Sequence, residues 1–572
     1  MPFSPAQLEA IQIRNKNVIV SASAGSGKTS VLVQRLSTLV IQDRISIDSI
    51  LAMTFTNDAA SEMKDRLKQD LLKQKQKNPE DAYLSNQLTL LETASICTID
   101  SFCQNLVKTY YYKIPISLTM ATTVGSASQI RKAMTKAYQR ATQQISVKDY
   151  MECKLYFQSF GKKEEDIQKT IEQMIQTGQS KPHMDQWFSL ILNHFDTIQE
   201  ESLNWFFQYF TEKIISMIEI LDSMIDKVND MEFKKESQKM AMLSRLEKKR
   251  EFNSVCLKPL KEKNYDEFRK IFIASINLTE NIPGTINKIK MKEKDNYLSF
   301  QKDISNVLYP WPQFINDIEN QKSLVHTLIS LCKYTCIFFA EEKKQQEFID
   351  FNDMEHFALL LLEDQSIQEE LQTKYNEILI DEFQDTNELQ ETIVSKFCRK
   401  NNVFRVGDIK QSIYGFRQAK PSIMKEHMKS TSNYDKALVL KENYRSNQSI
   451  IEFNNDFYEK LMNSNLLGTQ FEEVDIAKVG MESQKDSLAH PIRFLYSCID
   501  EIKESYDLSY PEAKKYSLVN RYHLMAKSIL KDIQNGRNYK DICILLRNRN
   551  QLDDIKTCLE SYSIPVFAQV TN

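Results

Sequence analysis

A glycine-containing loop near the amino terminus constrains the fold of this chain more than any other feature. Only 11 of the 572 residues are glycine, and two of them stand in the segment Ala22-Ser23-Ala24-Gly25-Ser26-Gly27-Lys28-Thr29. The segment follows the apolar run 18–20 and precedes an amphipathic helical pattern over 30–39. A strand, a loop of small residues and a helix in this order form a P-loop, in which backbone N–H groups and the helix N-terminus face phosphate oxygens.

The P-loop predicts ATP and Mg²⁺ as cofactors. We expect every residue from Ala22 to Thr29 to contribute to the nucleotide site. Lys28 neutralises charge on the β- and γ-phosphates, and the Thr29 hydroxyl is a ligand of Mg²⁺. Ala22 stands where the motif has Gly, and it is small enough for the turn. A Gly-Ser loop that only caps a helix is the alternative.

A second carboxylate site is needed for phosphoryl chemistry, and residues 378–382 supply it. The apolar run 378–380 predicts a buried strand that ends at Asp381 and Glu382. We expect Asp381 to hold Mg²⁺ through water and Glu382 to polarise the attacking water. An Asp-Glu pair after a strand is also a common solvated strand end. Because Lys28 lies far upstream, the residues between the two motifs must include a large insertion.

Two styles of sequence alternate along the chain. Residues 126 to 370 are rich in Lys, Glu, Gln, Leu and Met and predict helix after helix. The β-rich runs that predict a parallel α/β sheet lie at 18–20, 50–53, 94–97, 377–380, 403–406 and 438–440. Runs at 492–496, 542–546 and 564–567 predict a second sheet that the chain ends too early to complete. The predicted domains are 1–120 with 371–450, an all-α insertion at 121–370, and a truncated α/β domain at 451–572.

The charge balance and the cysteine pattern limit the partners. The chain has 74 Lys and Arg against 77 Asp and Glu, a net charge of −3, so DNA would have to bind a local basic face. Residues 231–270 carry an excess of basic side chains, and Lys288, Lys290, Lys292 and Lys294 form a second basic patch. Either patch is a solvated helical face or a contact for duplex DNA phosphates. Scattered cysteines without a C-x-x-C pair, and apolar runs far shorter than the ~20 residues of a bilayer span, predict a cytoplasmic protein with no membrane contact.

Five further segments match one set of motifs in order, and together the chain resembles the UvrD/Rep group of superfamily 1 helicases. The segments are SPAQ at 4–7, TFTNDAA at 54–60, DEFQDT at 381–386, GDIKQSIYGFR at 407–417 and ENYRS at 442–446. In the segment TIDSFC at 98–103, Asp100 stands where many relatives place His. This residue makes the chain similar to the AddA or RexA components of the Firmicute ATP-dependent helicase/nucleases. The resemblance implies two RecA-like domains, the first with the large all-α insertion and the second incomplete.

The resemblance assigns further roles around the nucleotide. Gln7 would select adenine through an amide that can donate and accept, and Arg35 would flank the nucleotide. Tyr444 would stack on adenine, and Arg445 would reach the γ-phosphate with two parallel hydrogen bonds. Gln411 would report loss of the γ-phosphate to the DNA site. Without the motifs around them, these side chains would be ordinary surface or packing residues.

The resemblance also assigns residues to single-stranded DNA. Aromatic side chains suit a translocating protein, because a base of any identity can stack on a ring. The residues expected to contact DNA are Phe55, Thr56, Phe102, Tyr414, Phe416 and Arg417. Phe416 stands where the family usually has Trp. Taken alone, Phe55 and Phe102 would more often be core residues.

The function expected from the resemblance is an ATP-driven, 3′-to-5′ DNA helicase component of a helicase-nuclease complex that processes double-strand breaks. Its partners would be single-stranded and duplex DNA and a second component of the AddB or RexB type, in a heterodimer. The alternatives are a repair helicase of the UvrD type and a DNA-binding fragment that does not hydrolyse ATP. Later helicase motifs, a closing arginine and a nuclease domain are not found before Asn572. We therefore expect the chain by itself to bind Mg-ATP and DNA but to hydrolyse ATP slowly.

Overall fold

The computed structural model describes most of the chain. The described residues are 3–196, 204–233, 235–276, 293–462, 471–481 and 492–568, with the backbone of 285–286 and 289–290. Two compact units divide them: Met1–Ala22 with Lys28–Leu440, and Ser23–Gly27 with Lys441–Asn572. The division at 440 falls before the boundary predicted at 450, and the domain limits given by the sequence remain predictions.

A six-stranded sheet forms the centre of the first unit, and every neighbouring pair of strands is parallel. Its strands are β1 Asn17–Ala22, β2 Ile50–Thr54, β3 Ile96–Thr98, β4 Glu377–Ile380, β5 Val403–Gly407 and β6 Asp435–Leu440. The order across the sheet is β3-β2-β4-β5-β1-β6. The strand after which Asp381 follows (β4) is therefore separated from the strand before the P-loop (β1) by β5 alone. Because the strands are parallel, their carboxyl ends share one edge.

Alternating residues of these strands fill two separate cores. Leu51 and Met53 belong to the cluster on one face, whereas Ile50 and Ala52 belong to the cluster on the other. Successive side chains of a strand point to opposite faces, so a sheet covered by helices on both sides needs apolar residues at every position. This need explains why the strands read as unbroken apolar runs. The predicted parallel α/β sheet is confirmed.

Helices cover both faces of the sheet. They are Pro5–Gln12, Lys28–Ile41, Asn57–Lys77, Ala82–Leu90, Ile99–Tyr110, Leu118–Thr122, Phe351–Leu361, Gln365–Lys374, Glu388–Phe397 and Pro421–Lys429. Several begin at a motif residue whose side chain caps the helix, as Thr56 and Thr98 do by accepting from the backbone N–H groups of Ala59 and Ser101. Short 3₁₀ turns follow β4 and β5 at Phe383–Asp385, Ile409–Gln411 and Gly415–Arg417.

Long helices build the insertion, as the sequence predicts. They are Ala127–Thr142, Val147–Ser159, Glu164–Gln179, Met184–Asp196, Asn204–Asp230, Glu236–Lys261, Tyr265–Ile276, Glu293–Val307 and Trp311–Gln345. A small antiparallel pair, Thr285–Ile286 with Ile289–Lys290, interrupts them. Trp311–Gln345 is long and apolar enough to cross a membrane by length and composition alone. Its residues Ile329, Leu331 and Cys332 are buried in a cluster of the insertion, and core helices of this kind pass the same test.

The basic patches predicted in the insertion are only partly described. Within residues 231–270, Lys249 is buried and donates to the backbone oxygen of Ser275 at 2.7 Å. Arg250 forms an ion pair with Asp222. The side chains of Lys288, Lys290 and Lys292 lie outside the described residues. A role of the insertion in duplex binding remains a prediction.

The second unit contains helices and one short strand pair. The helices are Gln448–Leu461, Ile499–Tyr506, Tyr510–Gln534 and Leu552–Ser561, and the parallel strands are Glu442–Asn443 and Lys478–Val479. The strands predicted at 492–496, 542–546 and 564–567 are wrong for the described residues, which are irregular there. A strand exists only with a hydrogen-bonded neighbour, and these segments have none in the described part of the unit. Leu545 and Phe567 accordingly remain 90% and 96% exposed.

Candidate nucleotide and DNA site

The backbone of the P-loop needs its two glycines. Gly25 and Gly27 have φ angles of +74° and +81°, in the left-handed region that side chains disfavour. Asn443, in the same unit, closes against the loop: its Nδ2 donates to the Ala24 carbonyl at 2.8 Å. A Cβ atom on Gly25 would lie 2.7 Å from the Asn443 side-chain oxygen. Gly25 is therefore fixed by both conformation and space.

Asn443 also orders the segment that carries Tyr444 and Arg445. Its Oδ1 accepts from the backbone N–H groups of Arg445 and Ser446, both at 2.8 Å. The Tyr444 N–H donates to the Gly25 carbonyl at 2.8 Å, so the segment is tied to the P-loop by its backbone. The Arg445 side chain is exposed. Sequence reasoning quoted Asn443 within a motif but gave it no role, because its function is to hold backbone groups that only the fold brings together.

Lys28 and Glu382 form an ion pair in the first unit. Lys28 Nζ lies 3.1 Å from Glu382 Oε2, and the Lys28 side chain is only 12% exposed. Glu382 has a left-handed φ of +48°, uncommon for a residue with a side chain. Such strain at the end of a buried strand is typical of functional positions. The geometry brings together the two residues that the sequence assigned to opposite motifs.

Asp381 occupies a buried place beside this pair. Its residue is 8% exposed, and its Oδ1 accepts from the Glu382 backbone N–H at 3.0 Å. Burial, and then the nearby Glu382 carboxylate, raise the pKa of Asp381 to about 6. A divalent cation would favour the ionised form of such a carboxyl group.

The residues fit Mg²⁺ held together with phosphates. In the described part of the chain, no cluster of three His, Cys, Asp or Glu side chains could hold a metal by itself. Mg²⁺ is usually bound by one or two carboxylates with substrate phosphates and water, so Asp381 and Thr29 suffice as protein ligands. Thr29 lies in the first turn of the helix Lys28–Ile41.

Gln7 and Gln411 are both engaged in local hydrogen bonds. Gln7 is buried and its Oε1 accepts from the Ser4 N–H at 2.8 Å, which completes a capping box on the first helix. Gln411 Nε2 donates to Asp408 Oδ2 at 2.7 Å. Neither contact involves a nucleotide, and the roles assigned to both residues remain predictions.

The prediction that Arg35 flanks the nucleotide is wrong. Arg35 is fully buried and its guanidinium donates to Glu377 Oε1 at 2.9 Å and to the carbonyls of Ala10 and Ile13, both at 2.8 Å. Glu377 begins β4, whereas Asp381 follows its end, so the ion pair lies toward the opposite edge of the sheet. Helical periodicity showed that Arg35 lies on the helix after the P-loop but not which buried carboxylate it meets.

Three of the residues predicted to bind DNA stack on one another after β2 and β5. The rings of Phe55 and Tyr414 are 4.3 Å apart, and those of Tyr414 and Phe416 are 5.6 Å apart. The Arg417 guanidinium lies 5.5 Å from the Phe55 ring and 5.6 Å from the Tyr414 ring. Phe416 is 68% exposed. We call these four residues the aromatic cluster.

A cavity of about 400 Å³ lies against the aromatic cluster. It is lined by Phe55, Thr56, Asp100, Tyr414 and Arg417, among others. Thr56 reaches this cavity while it caps the following helix. The cavity therefore joins loops that are distant in sequence into one surface.

The prediction that Phe102 contacts DNA is wrong. Phe102 is 5% exposed and packs against Phe397 and Tyr375, with ring centroids 5.2 and 6.4 Å away. The helix Ile99–Tyr110 turns this ring into the core and presents Asp100 to the cavity instead. The motif located the helix correctly, but its rotation is set by packing.

A buried carboxyl pair that sequence reasoning missed lies behind the cavity. Asp100 and Glu355 are hydrogen-bonded to each other, and Gln390 Nε2 donates to Glu355 Oε1 at 2.8 Å. Burial, and then Asp100, raise the pKa of Glu355 to about 8. Burial also raises the pKa of Asp100, although the positive charge of Arg417 opposes this effect. The pair therefore holds a proton at neutral pH.

Comparison with known proteins identifies the family. Residues 3–432 match the UvrD/REP helicase N-terminal domain, and residues 438–571 match the UvrD-like helicase C-terminal domain. The chain belongs to the UvrD/REP helicase family. The predicted RecA-like α/β fold with a large helical insertion is thereby confirmed.

Relatives named as the A-type component of an ATP-dependent helicase/nuclease match nearly the whole chain. The protein from Lactobacillus johnsonii is 27% identical over 99% of this chain and 50% of its own length. The protein from Listeria innocua is 28% identical over 98% and 48%, and that from Thermoanaerobacter sp. strain X514 is 30% identical over 84% and 41%. The resemblance to these helicase/nuclease components is confirmed. The chain spans about half the length of the curated relatives it matches.

The buried ion pair predicts a large loss of stability when Arg35 is removed. We expect Arg35→Met to lower the free energy of unfolding by about 3–5 kcal/mol, because Glu377 is left buried and without its cation. Urea unfolding followed by circular dichroism would measure the change. Arg66→Met, which removes an exposed ion pair with Glu62, is the matched control and should change little. An equally small effect of Arg35→Met would contradict the structural role.

The Asp100–Glu355 pair predicts a pH dependence of stability. Because the pKa of Glu355 is raised from 4.5 to about 8, the folded protein keeps a proton that the unfolded chain releases. This contribution to stability is present at low pH and is lost as pH rises from about 5 to about 8. We expect Glu355→Gln, which can donate to Asp100 at any pH, to flatten the profile of unfolding free energy against pH. Glu363→Gln, at a half-exposed side chain, should leave the profile as it is; an unchanged profile in Glu355→Gln would contradict the shared proton.

Proposed function

We propose that this chain binds Mg-ATP and single-stranded DNA as the motor portion of a DNA helicase. The observation that carries the proposal is the grouping of Lys28, Glu382 and Asp381 at the carboxyl edge of the sheet. The aromatic cluster follows strands of the same edge. A phosphate site and a stacking surface on one rigid sheet are the two parts that a translocase needs.

The side chains support a division of labour at the phosphate site. Lys28 would neutralise the phosphates, and Thr29 with Asp381 would hold Mg²⁺, which supplies charge stabilisation when bound. Glu382 would accept hydrogen bonds from, and orient, the attacking water. In this structure the Glu382 carboxylate is held by Lys28, so a phosphate that attracts Lys28 would free one lone pair for water. Gln7, Tyr444 and Arg445 remain the proposed contacts to adenine and the γ-phosphate.

The wider assignment rests on the named relatives. Because they are components of ATP-dependent helicase/nucleases, we infer that the chain acts in a helicase-nuclease complex with a second component of the AddB or RexB type. Processing of double-strand breaks, 3′-to-5′ polarity and a cytoplasmic location belong to the same proposal.

The phosphate site is tested by two substitutions with different expected effects. Lys28→Ala should weaken Mg-ATP binding about 100-fold or more, because it removes the cation directed at the β- and γ-phosphates. Glu382→Gln should leave the dissociation constant within a few-fold and lower turnover by about 10²-fold. Calorimetry and a coupled ATPase assay would measure both.

The control for the phosphate site is Lys396→Ala, which removes a lysine paired with Glu363 on the helix Glu388–Phe397. It should alter neither binding nor turnover. Native affinity in Lys28→Ala would overturn the nucleotide site.

The aromatic cluster predicts stacking without sequence preference. Phe416→Ala should weaken single-stranded DNA binding by about 1–3 kcal/mol for oligo(dT) and oligo(dA) alike, since the lost interaction is base stacking. Fluorescence anisotropy would measure the two dissociation constants. Phe160→Ala, at a ring of the insertion that is 66% exposed, is the matched control. If both oligonucleotides bind Phe416→Ala as tightly as the native chain, the cluster is not the DNA surface.

A further inference from the structure

Gln384 connects two motifs that the proposed mechanism treats separately. It is 2% exposed, and its Nε2 donates to Glu382 Oε2 at 2.9 Å. This is the same oxygen that lies 3.1 Å from Lys28 Nζ. Its Oε1 accepts from the Asp408 backbone N–H at 2.9 Å. One buried amide therefore joins the end of β4 to the end of β5.

The contact between the two strand ends leaves almost no space. A Cβ atom on Gly407 would lie 2.5 Å from Gln384 Oε1 and 3.0 Å from its backbone nitrogen. Gly407 thus allows the close approach that the hydrogen bond to Asp408 requires. Because this region is close-packed, a displacement of Gln384 must move the turn after β5.

Asp408 carries the connection onward to Gln411. Asp408 is 1% exposed, and its Oδ1 accepts from the Lys410 backbone N–H at 3.1 Å and pairs with Lys410 Nζ at 2.9 Å. Its Oδ2 accepts from Gln411 Nε2 at 2.7 Å. Both oxygens are thus used to fix the 3₁₀ turn Ile409–Gln411. Tyr414 of the aromatic cluster follows three residues later.

We propose that Gln384 and Asp408 are positioning residues that couple the occupancy of the phosphate site to the aromatic cluster. The coupling rests on the proposed function and names the side chains that carry it. A phosphate that draws Lys28 away from Glu382 leaves the shared oxygen to Gln384. The Gln384 amide follows the Glu382 carboxylate, the Asp408 N–H follows Gln384, and the Gln411 turn follows Asp408. The path uses hydrogen bonds within the first unit alone.

Two substitutions interrupt the path at different points. Gln384→Met keeps the length of the side chain but can neither donate to Glu382 nor accept from Asp408. Asp408→Asn keeps one oxygen for Lys410 and replaces the acceptor of Gln411 with a donor. Asp435→Asn, at the amino end of β6, makes the same chemical change at the opposite edge of the sheet and is the matched control.

The measured quantity is the ratio of the dissociation constants for oligo(dT) without and with saturating Mg-ATPγS, a slowly hydrolysed analogue. Reciprocity requires that oligo(dT) change the nucleotide affinity by the same factor. We expect a ratio that differs from one by about fivefold or more in the native chain and in Asp435→Asn. In Gln384→Met and Asp408→Asn it should approach one, with each ligand alone bound nearly as tightly as by the native chain.

The outcomes separate this inference from the proposed function. A native chain that binds only one ligand or neither overturns the proposed function. A native chain that binds both, with a ratio of one or with a ratio that survives in the variants, overturns the coupling path alone. Asp408→Asn retains every backbone hydrogen bond of the path, so it decides the question if Gln384→Met does not fold.

Discussion

The parallel pairing of the strands is the constraint on which the rest of the structure depends. Both faces of the sheet are buried, so apolar residues occupy the strands and polar chemistry is confined to their ends. At the carboxyl ends stand Lys28, Glu382, Asp381 and Asp408, each supplied by the loop or turn after a different strand or by its neighbour. Because β5 lies between β1 and β4, the turn that holds Gln411 is placed next to the carboxylates without any long-range adjustment. The aromatic cluster is built from loops at the same edge.

The two ends of the sheet use ion pairs in opposite ways. At the amino end of β4, Arg35 and Glu377 are both buried and every donor has a fixed acceptor, so the pair is structural. At the carboxyl end, Glu382 is 37% exposed and shares one oxygen between Lys28 and Gln384. An exposed carboxylate with exchangeable donors can change partners at small cost, whereas a buried pair cannot. The difference in exposure explains why one end is suited to ligands and the other to stability.

The sequence predicted the sheet and the phosphate site well, because both depend on local signals. Each of the six apolar runs is a strand, and the P-loop and the Asp381–Glu382 pair lie where a strand ends. Arg35 and Phe102 were misplaced because helical spacing gives the helix but not its partners, which tertiary packing selects. Glu355 and Asn443 carried no signal, since each acts on groups that are distant in sequence. The strands predicted after 490 were wrong in the described residues because apolar composition cannot supply a pairing partner.

The central claim is that one edge of the sheet joins the phosphate site to the DNA surface. Hydrogen–deuterium exchange of the native chain, with and without Mg-ATPγS and in the absence of DNA, tests it most directly. The account predicts slower exchange at residues 23–29 and 381–385, together with a change of exchange at 408–417, where no nucleotide atom binds. Protection confined to 23–29, with 381–385 and 408–417 unchanged, would contradict it.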